Sequence, residues 1–178
     1  MVINMDEIEK DKNTKKNNKI IDFFKEAIPY IIIAVVVILI RTYIVTPIKV
    51  QGASMSPTLE GSELMLLNKL GKIERFDIVV VSTERGDIIK RVIAMPGESI
   101  SCENGKIYVN GRKQEENYSK GTTSDFEKVT LEDNEYFVLG DNREDSLDSR
   151  YYGPFSEDKI KGTTNFILFP FNEFGKLK

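Results

Sequence analysis

The chain has 178 residues, enough for one domain with a proper core plus an extra segment. Charged residues make up 30% of it and the net charge is -3, which argues against a multi-span membrane protein and gives no sign of nucleic-acid binding. It contains no histidine, which removes Ser-His-Asp triads, Cys-His dyads and nearly all catalytic zinc sites, so any acid–base catalyst must be Lys, Asp, Glu or Tyr with a displaced pKa.

Residues 1–26 are polar, with Lys12, Lys15, Lys16, Lys19 and Lys25 crowded together, and read as a flexible tail. Residues 27–40, "AIPYIIIAVVVILI", carry no charge, and the apolar run continues to Thr46 with Arg41 as its one charged residue. Crossing about 30 Å of hydrocarbon takes roughly 20 helical residues. The segment 27–46 is therefore read as one transmembrane helix, with Arg41 able to snorkel near its end and Pro47 stopping it. A buried core helix, a buried strand and a cleaved signal peptide are the alternatives. Against them stand the absence of a polar stripe, the length, and the bulky Tyr43-Ile44-Val45 where a small-residue cleavage site belongs. The lysines before the span place the N-terminus in the cytoplasm and residues 47–178 outside it.

The remainder reads as mainly β. "LMLLNKL", "FDIVVVST", "GDIIKRVIAM", Ile107-Tyr108-Val109 between two Asn-Gly turns, "EYFVLGD" and "TTNFILFPF" are the expected strands. Short strands between Gly and Asn turns point to a barrel-like or sandwiched antiparallel fold. Residues 115–128 are polar and read as a surface loop. The single cysteine, Cys102, permits no internal disulfide and reads as a small buried hydrophobe. Usual burial preference puts Phe166, Phe169 and Phe171 in the core, with contact to a membrane interface as the alternative.

Three stretches can carry chemistry. "GASMSPTL" presents Ser54 in a turn-forming, hydroxyl-rich setting. In "IIKRVIAMPGE", period-two alternation puts Ile88 and Lys90 on one face and Arg91 on the other, so one of two cations sits near the core. If Lys90 is the inward one, burial lowers its pKa from about 10.4 by several units, at roughly 1.4 kcal/mol each. A neutral lysine amine can then do what histidine usually does for a serine nucleophile. If Ile89 points in instead, Lys90 is a solvated strand residue. "GDNREDSLDSR" is an acidic turn, a calcium loop, or a hydrogen-bonded loop bracing a site. The spacing of a helix–loop–helix calcium site is absent, and the arginines compete for the carboxylates, which favours the third.

These boxes, with "RFDIVVV", follow one another after a single N-terminal span. In that order they resemble the bacterial type I signal peptidases, over roughly residues 41–152, and the short polar segment before the last box is similar to the compact single-span subclass. The resemblance implies an antiparallel signal-peptidase/LexA-like β fold with one N-terminal transmembrane helix. It also implies a serine endopeptidase that removes signal peptides from exported preproteins after small-x-small sites. Ser54 is then the nucleophile and Lys90 the general base. Ser146 hydrogen-bonds and orients the lysine amine, Asp148 pairs with Arg150, Arg91 pairs with Asp141, and Asp77 is structural. The substrate-facing wall maps onto Ile48, Val50, Met55, Leu59 and Ile89. No metal or other cofactor is implied. The implied partners are preproteins and the lipid bilayer, close to the export translocon, and no nucleic acid. Two positions depart from the family pattern: Gly52 stands where some relatives carry a serine oxyanion donor, and Glu98 where aspartate is frequent. A non-catalytic, membrane-anchored binding or assembly module on the same scaffold is the alternative function. A Ser-Lys self-cleaving repressor of similar fold would need a DNA-binding domain, for which 26 leading residues leave no room.

Overall fold

The structure is a computed structural model and describes residues 25–177. The expected tail lies outside the described residues except for Lys25 and Glu26, which open helix α1 (Lys25–Tyr43). Its 19 residues span about 28 Å at 1.5 Å each, close to the thickness of a hydrocarbon core. Its Ile and Val side chains are exposed on every face, which removes the buried-core-helix alternative. The helix is shorter at its C-terminal end than the expected 27–46. Val45 and Thr46 belong to strand β1 (Val45–Lys49), whose backbone pairs antiparallel with β2 (Leu64–Asn68), so ladder bonds win over helical continuation. Pro47 fits there because β1 is an edge strand, where a missing N–H costs no ladder bond.

Residues 44–178 form a separate compact unit. In chain order, β1 and β2 are followed by β3 (Ile78–Thr83), β4 (Gly86–Ala94), β5 (Ser99–Glu103), β6 (Lys106–Val109), β7 (Arg112–Lys113), β8 (Phe126–Thr130) and β9 (Glu135–Leu139). A one-turn helix α2 (Ser149–Tyr152), β10 (Phe155–Ser156), β11 (Ile160–Phe169) and β12 (Gly175–Lys176) complete it. The larger sheet runs β1-β2-β11-β3-β4-β9-β10, with β12 added on β11; the smaller runs β7-β6-β5-β8, and every strand pair is antiparallel. The chain is thus a mainly β, antiparallel fold with one N-terminal apolar helix.

Central position explains the apolar run of β3. Ile78 packs with Met55, Leu59 and Met65 on one side of the sheet, while Val79 and Val81 pack with Val92 and Val138 on the other. A third cluster, Ile93, Ile100, Ile107, Phe137 and Leu139 with Cys102 among them, joins the small sheet to the large one. Two expectations need correction. Residues 115–128 are not all loop, since Phe126 starts β8. Phe169 and Phe171 are 50% and 79% exposed, with their rings edge-to-face at 5.4 Å, rather than in the core. Phe169 ends β11, and Phe171 opens the short turn that leads back to β12, so both rings stand at the sheet end.

Candidate active site

Ser54 sits in a tight turn after β1. The Ser56 N–H donates to the Ala53 carbonyl (3.1 Å) and the Leu59 N–H to the Met55 carbonyl (3.0 Å). This single helical turn puts Met55 and Leu59, four residues apart, on its inner side, where both are buried. They anchor the turn from below. Val50 is buried in the same cluster, so these three residues lie beneath the site and do not form its wall as expected. Of the proposed wall only Ile48 and Ile89 line the open groove, of about 420 Å³, that runs between β1 and β4 beside Ser54. The buried Glu63 carboxylate, which sequence reasoning passed over, holds the far end of the turn by accepting the N–H groups of Glu60 (2.7 Å), Gly61 (2.9 Å) and Ser62 (2.9 Å).

Lys90 lies on β4 opposite Val79 and is 3% exposed. Its Nζ donates to Ser54 Oγ at 2.7 Å. Arg91 takes the other face of the strand, as alternation requires, and makes a two-pronged bond to Asp141 (Nε to Oδ1 2.8 Å, Nη2 to Oδ2 2.6 Å). The Thr58 hydroxyl donates to the same carboxylate at 2.5 Å, and the guanidinium lies 4.1 Å over the ring of Tyr118. Burial pulls the Lys90 pKa from 10.5 down to about 8, against the upward pull of Asp148 and Asp141.

The Asp148 carboxylate is fully buried and accepts from Arg150 Nε (2.9 Å) and Nη2 (2.8 Å), from the Gly140 N–H (2.9 Å) and from the Ser146 hydroxyl (2.7 Å). Burial pushes its pKa up, but the bonds from Arg150, Gly140 and Ser146 outweigh that and hold the carboxyl below its usual range. Ser146 was expected to bond the lysine amine. Its hydroxyl bonds Asp148 instead, two residues along the same loop, and Lys90 bonds Ser54. Ser146 still lines the cleft on which Ser54 and Lys90 open. Asp77 accepts the Glu74 N–H at 2.9 Å and so closes the turn that leads into β3, outside the reacting centre.

Several bracing residues were not legible as such. The Asn142 N–H donates to the Ser54 carbonyl (3.0 Å) and Asn142 Nδ2 to the Ala53 carbonyl (3.1 Å), stitching the acidic loop to the serine turn. Gly140 lies so close to both that a Cβ there would stand 2.2 Å from Ser146 Oγ and 2.5 Å from the Ser54 carbonyl oxygen. The polar segment 115–128 is tied to the same loop. The buried Arg143 guanidinium grips Glu116 (2.5 and 2.9 Å) and Thr123 (2.7 Å), while the Lys120 backbone bonds the backbones of Asp141 and Arg143. The Ser54 N–H makes no hydrogen bond among the described residues, and Gly52, at φ +81°, has open space where a side chain would be.

The profile of the family described as "Signal peptidase, peptidase S26" matches residues 21–169. Signal peptidase I S of Bacillus subtilis is 38% identical over 94% of this chain and 98% of its own length. Signal peptidase I of Bacillus amyloliquefaciens is 39% identical over 96% and 98%. A crystal structure of a signal peptidase I from Enterococcus faecalis superposes with a TM-score of 0.46 and 32% identity, covering 52% of this chain and 97% of that one.

Proposed function

The chain belongs to the signal peptidase family, peptidase S26, and is a hydrolase that removes signal peptides; on that premise we propose that it works by a Ser54–Lys90 dyad. The observation that carries this reading is the 2.7 Å contact between Ser54 Oγ and a lysine amine that burial has brought to a pKa of about 8. A charged ammonium can only donate a hydrogen bond; once neutral, it accepts the hydroxyl proton. Ser54 Oγ then attacks the scissile carbonyl, and Lys90 takes its proton. The oxyanion meets the free Ser54 N–H. Lys90 returns the proton to the leaving amine, and water, activated by the same lysine, releases the acyl group. Asp148, Arg150, Arg91 and Asp141 hold the two loops that aim these groups.

The substrate enters as an extended strand. β1 is a sheet edge, and the first half of β4 pairs only with β3, because β9 joins it from Arg91 onward. Two free backbone edges thus flank the groove and can bond a strand lying in it. Ile48 and Ile89 narrow it, which favours small residues before the cut and so a small-x-small site. The test is cleavage of a preprotein by the detergent-solubilised chain. Ser54→Ala is expected to be inactive. Wild-type kcat/KM is expected to rise with pH through about 8, because the base works deprotonated and roughly a tenth of it is neutral at pH 7. A profile flat from pH 6 to 10, or cleavage by Ser54→Ala, removes the dyad.

Helix α1, as a retained span, anchors residues 47–178 at the outer membrane face beside the export translocon, where signal peptides emerge, with the lysine-rich tail in the cytoplasm. Protease added outside wall-stripped cells is expected to digest the β unit and leave an N-terminal tag intact; digestion of the tag would reverse the orientation.

A further inference from the structure

Two clefts open at the Ser54–Lys90 pair and share Ser54, Ile88 and Lys90. The first is the groove given above to the signal peptide. The second, of about 570 Å³, is walled by the acidic loop at Asp145 and Leu147 and, across from it, by Arg85 and Tyr152. Arg85 and Tyr152 also border a further hollow of about 590 Å³ that carries on past Tyr151. The mechanism above places nothing in this second cleft, yet an endopeptidase must position the chain on both sides of the bond it cuts.

We infer that the second cleft and its continuation hold the first residues of the mature protein, with Arg85 selecting acidic over basic side chains among them. This rests on the dyad reading above, since it takes the bond to be cut at Ser54.

Three observations carry it. The acyl half stays in the first groove, so the departing amine must leave by the other opening that Lys90 reaches, and Lys90 borders both. The walls offer purchase: Leu147 is 52% and Tyr151 63% exposed, large side chains with half or more of their surface open. The charges differ along the path. Asp145 and Glu144 border the cleft with Ser54 and Lys90, where the new α-amino group forms; Glu144 accepts the Thr122 N–H (3.1 Å), while the Asp145 carboxylate makes no hydrogen bond among the described residues. Arg85 lies on the part shared with the second hollow, where Glu84 and Lys159 offset each other and leave Arg85 as the net charge. It sits in the turn between β3 and β4, which is held by Thr83 (Oγ1 to the Gly86 carbonyl 2.7 Å, and from the Arg85 N–H 3.2 Å). Its guanidinium has no hydrogen bond or ion pair among the described residues. An exposed, unpaired cation on the exit path attracts carboxylates and repels ammonium groups.

The test uses the full chain in detergent and peptides identical through the scissile bond, with Asp or Lys at the second, third or fourth mature position. The wild type is expected to favour Asp in kcat/KM by about two- to fivefold at one or more of these positions, the range of an exposed ion pair. Arg85→Ala is expected to erase the preference and Arg85→Glu to invert it. Pairs that differ only before the bond should keep one ratio in all three proteins. An Asp-to-Lys ratio unchanged in Arg85→Glu overturns the assignment, as does a shift in selectivity before the bond. Failure of the dyad reading looks different: cleavage then survives Ser54→Ala or never occurs, whatever stands at residue 85.

Discussion

Lys90→Met is expected to lose at least about 10³-fold in kcat/KM and yet to melt higher than the wild type at pH 7. The activity loss follows from removing the one base in contact with Ser54 Oγ among the described residues. The stability gain follows from the same burial. Folding holds the Lys90 pKa near 8 against 10.5 in the open chain, so a charged amine is kept where its charge is disfavoured. The difference of about 2.5 units corresponds to about 3 kcal/mol, and methionine fills a similar volume without charge. For a unit of this size that is on the order of 10 °C in Tm. The sign runs with proton binding. Below pH 8 both states hold the proton and the penalty is fully present; between 8 and 10.5 the folded state has released it while the unfolded state has not, so stability rises with pH; above 10.5 the penalty is gone. The excess Tm of Lys90→Met should therefore be largest at pH 7 and vanish by about pH 10.5, read as thermal unfolding of the two proteins side by side. Lys90→Arg should also be inactive, because guanidinium stays charged, but without the gain. A Lys90→Met protein no more stable than wild type at pH 7 would mean that the lysine is not held under strain, and the dyad would lose its physical basis.

Why Lys90 was legible and Ser146 was not comes down to range. Strand alternation is a local rule, and with histidine absent it left Ile88-Lys90 and Arg91 to divide two faces; the structure places Lys90 inward and Arg91 on Asp141. The partner of the Ser146 hydroxyl is a competition between acceptors, and Asp148, two residues away and fixed by Arg150, takes it. The resemblance put Met55 and Leu59 in the substrate wall, and apolar residues beside a nucleophile suit either role; the turn, with its Leu59 to Met55 bond, points them inward. The first two residues of β1 were absorbed into the span since the apolar run continues through Val45-Thr46, and hydropathy does not distinguish that pair in a helix from the same pair on a sheet edge. The segment 115–128 looked solvated because its acids and lysines show no period. The contact that orders it, Glu116 to Arg143, joins residues 27 apart in sequence, beyond any pattern a window can show.

Gly140→Ala is expected to lower kcat by about 10²-fold in a protein that still folds, far more than Gly52→Ala two residues from the nucleophile. The two glycines differ in what a methyl group meets. At Gly52 there is nothing within 4 Å, so alanine costs only the left-handed backbone at φ +81°, of order 1–2 kcal/mol in stability. At Gly140 the methyl would stand 2.2 Å from Ser146 Oγ and 2.5 Å from the carbonyl oxygen of Ser54. Ser146 can rotate away, but the Ser54 carbonyl is backbone and is already pinned by the Asn142 N–H at 3.0 Å. Relief requires the serine turn to move by about 1 Å from β9 while Lys90, on β4, stays put. A misplacement of that size is worth about 10² in rate when a bond must form along a set direction. Because Gly140 itself lines neither cleft and meets them only through Ser54 and Ser146, KM should change less than kcat, and near-UV circular dichroism should report an intact core. Full activity in Gly140→Ala, or an equal loss in Gly52→Ala, would show that the Ser54 turn tolerates displacement and that its distance to Lys90 does not set the rate.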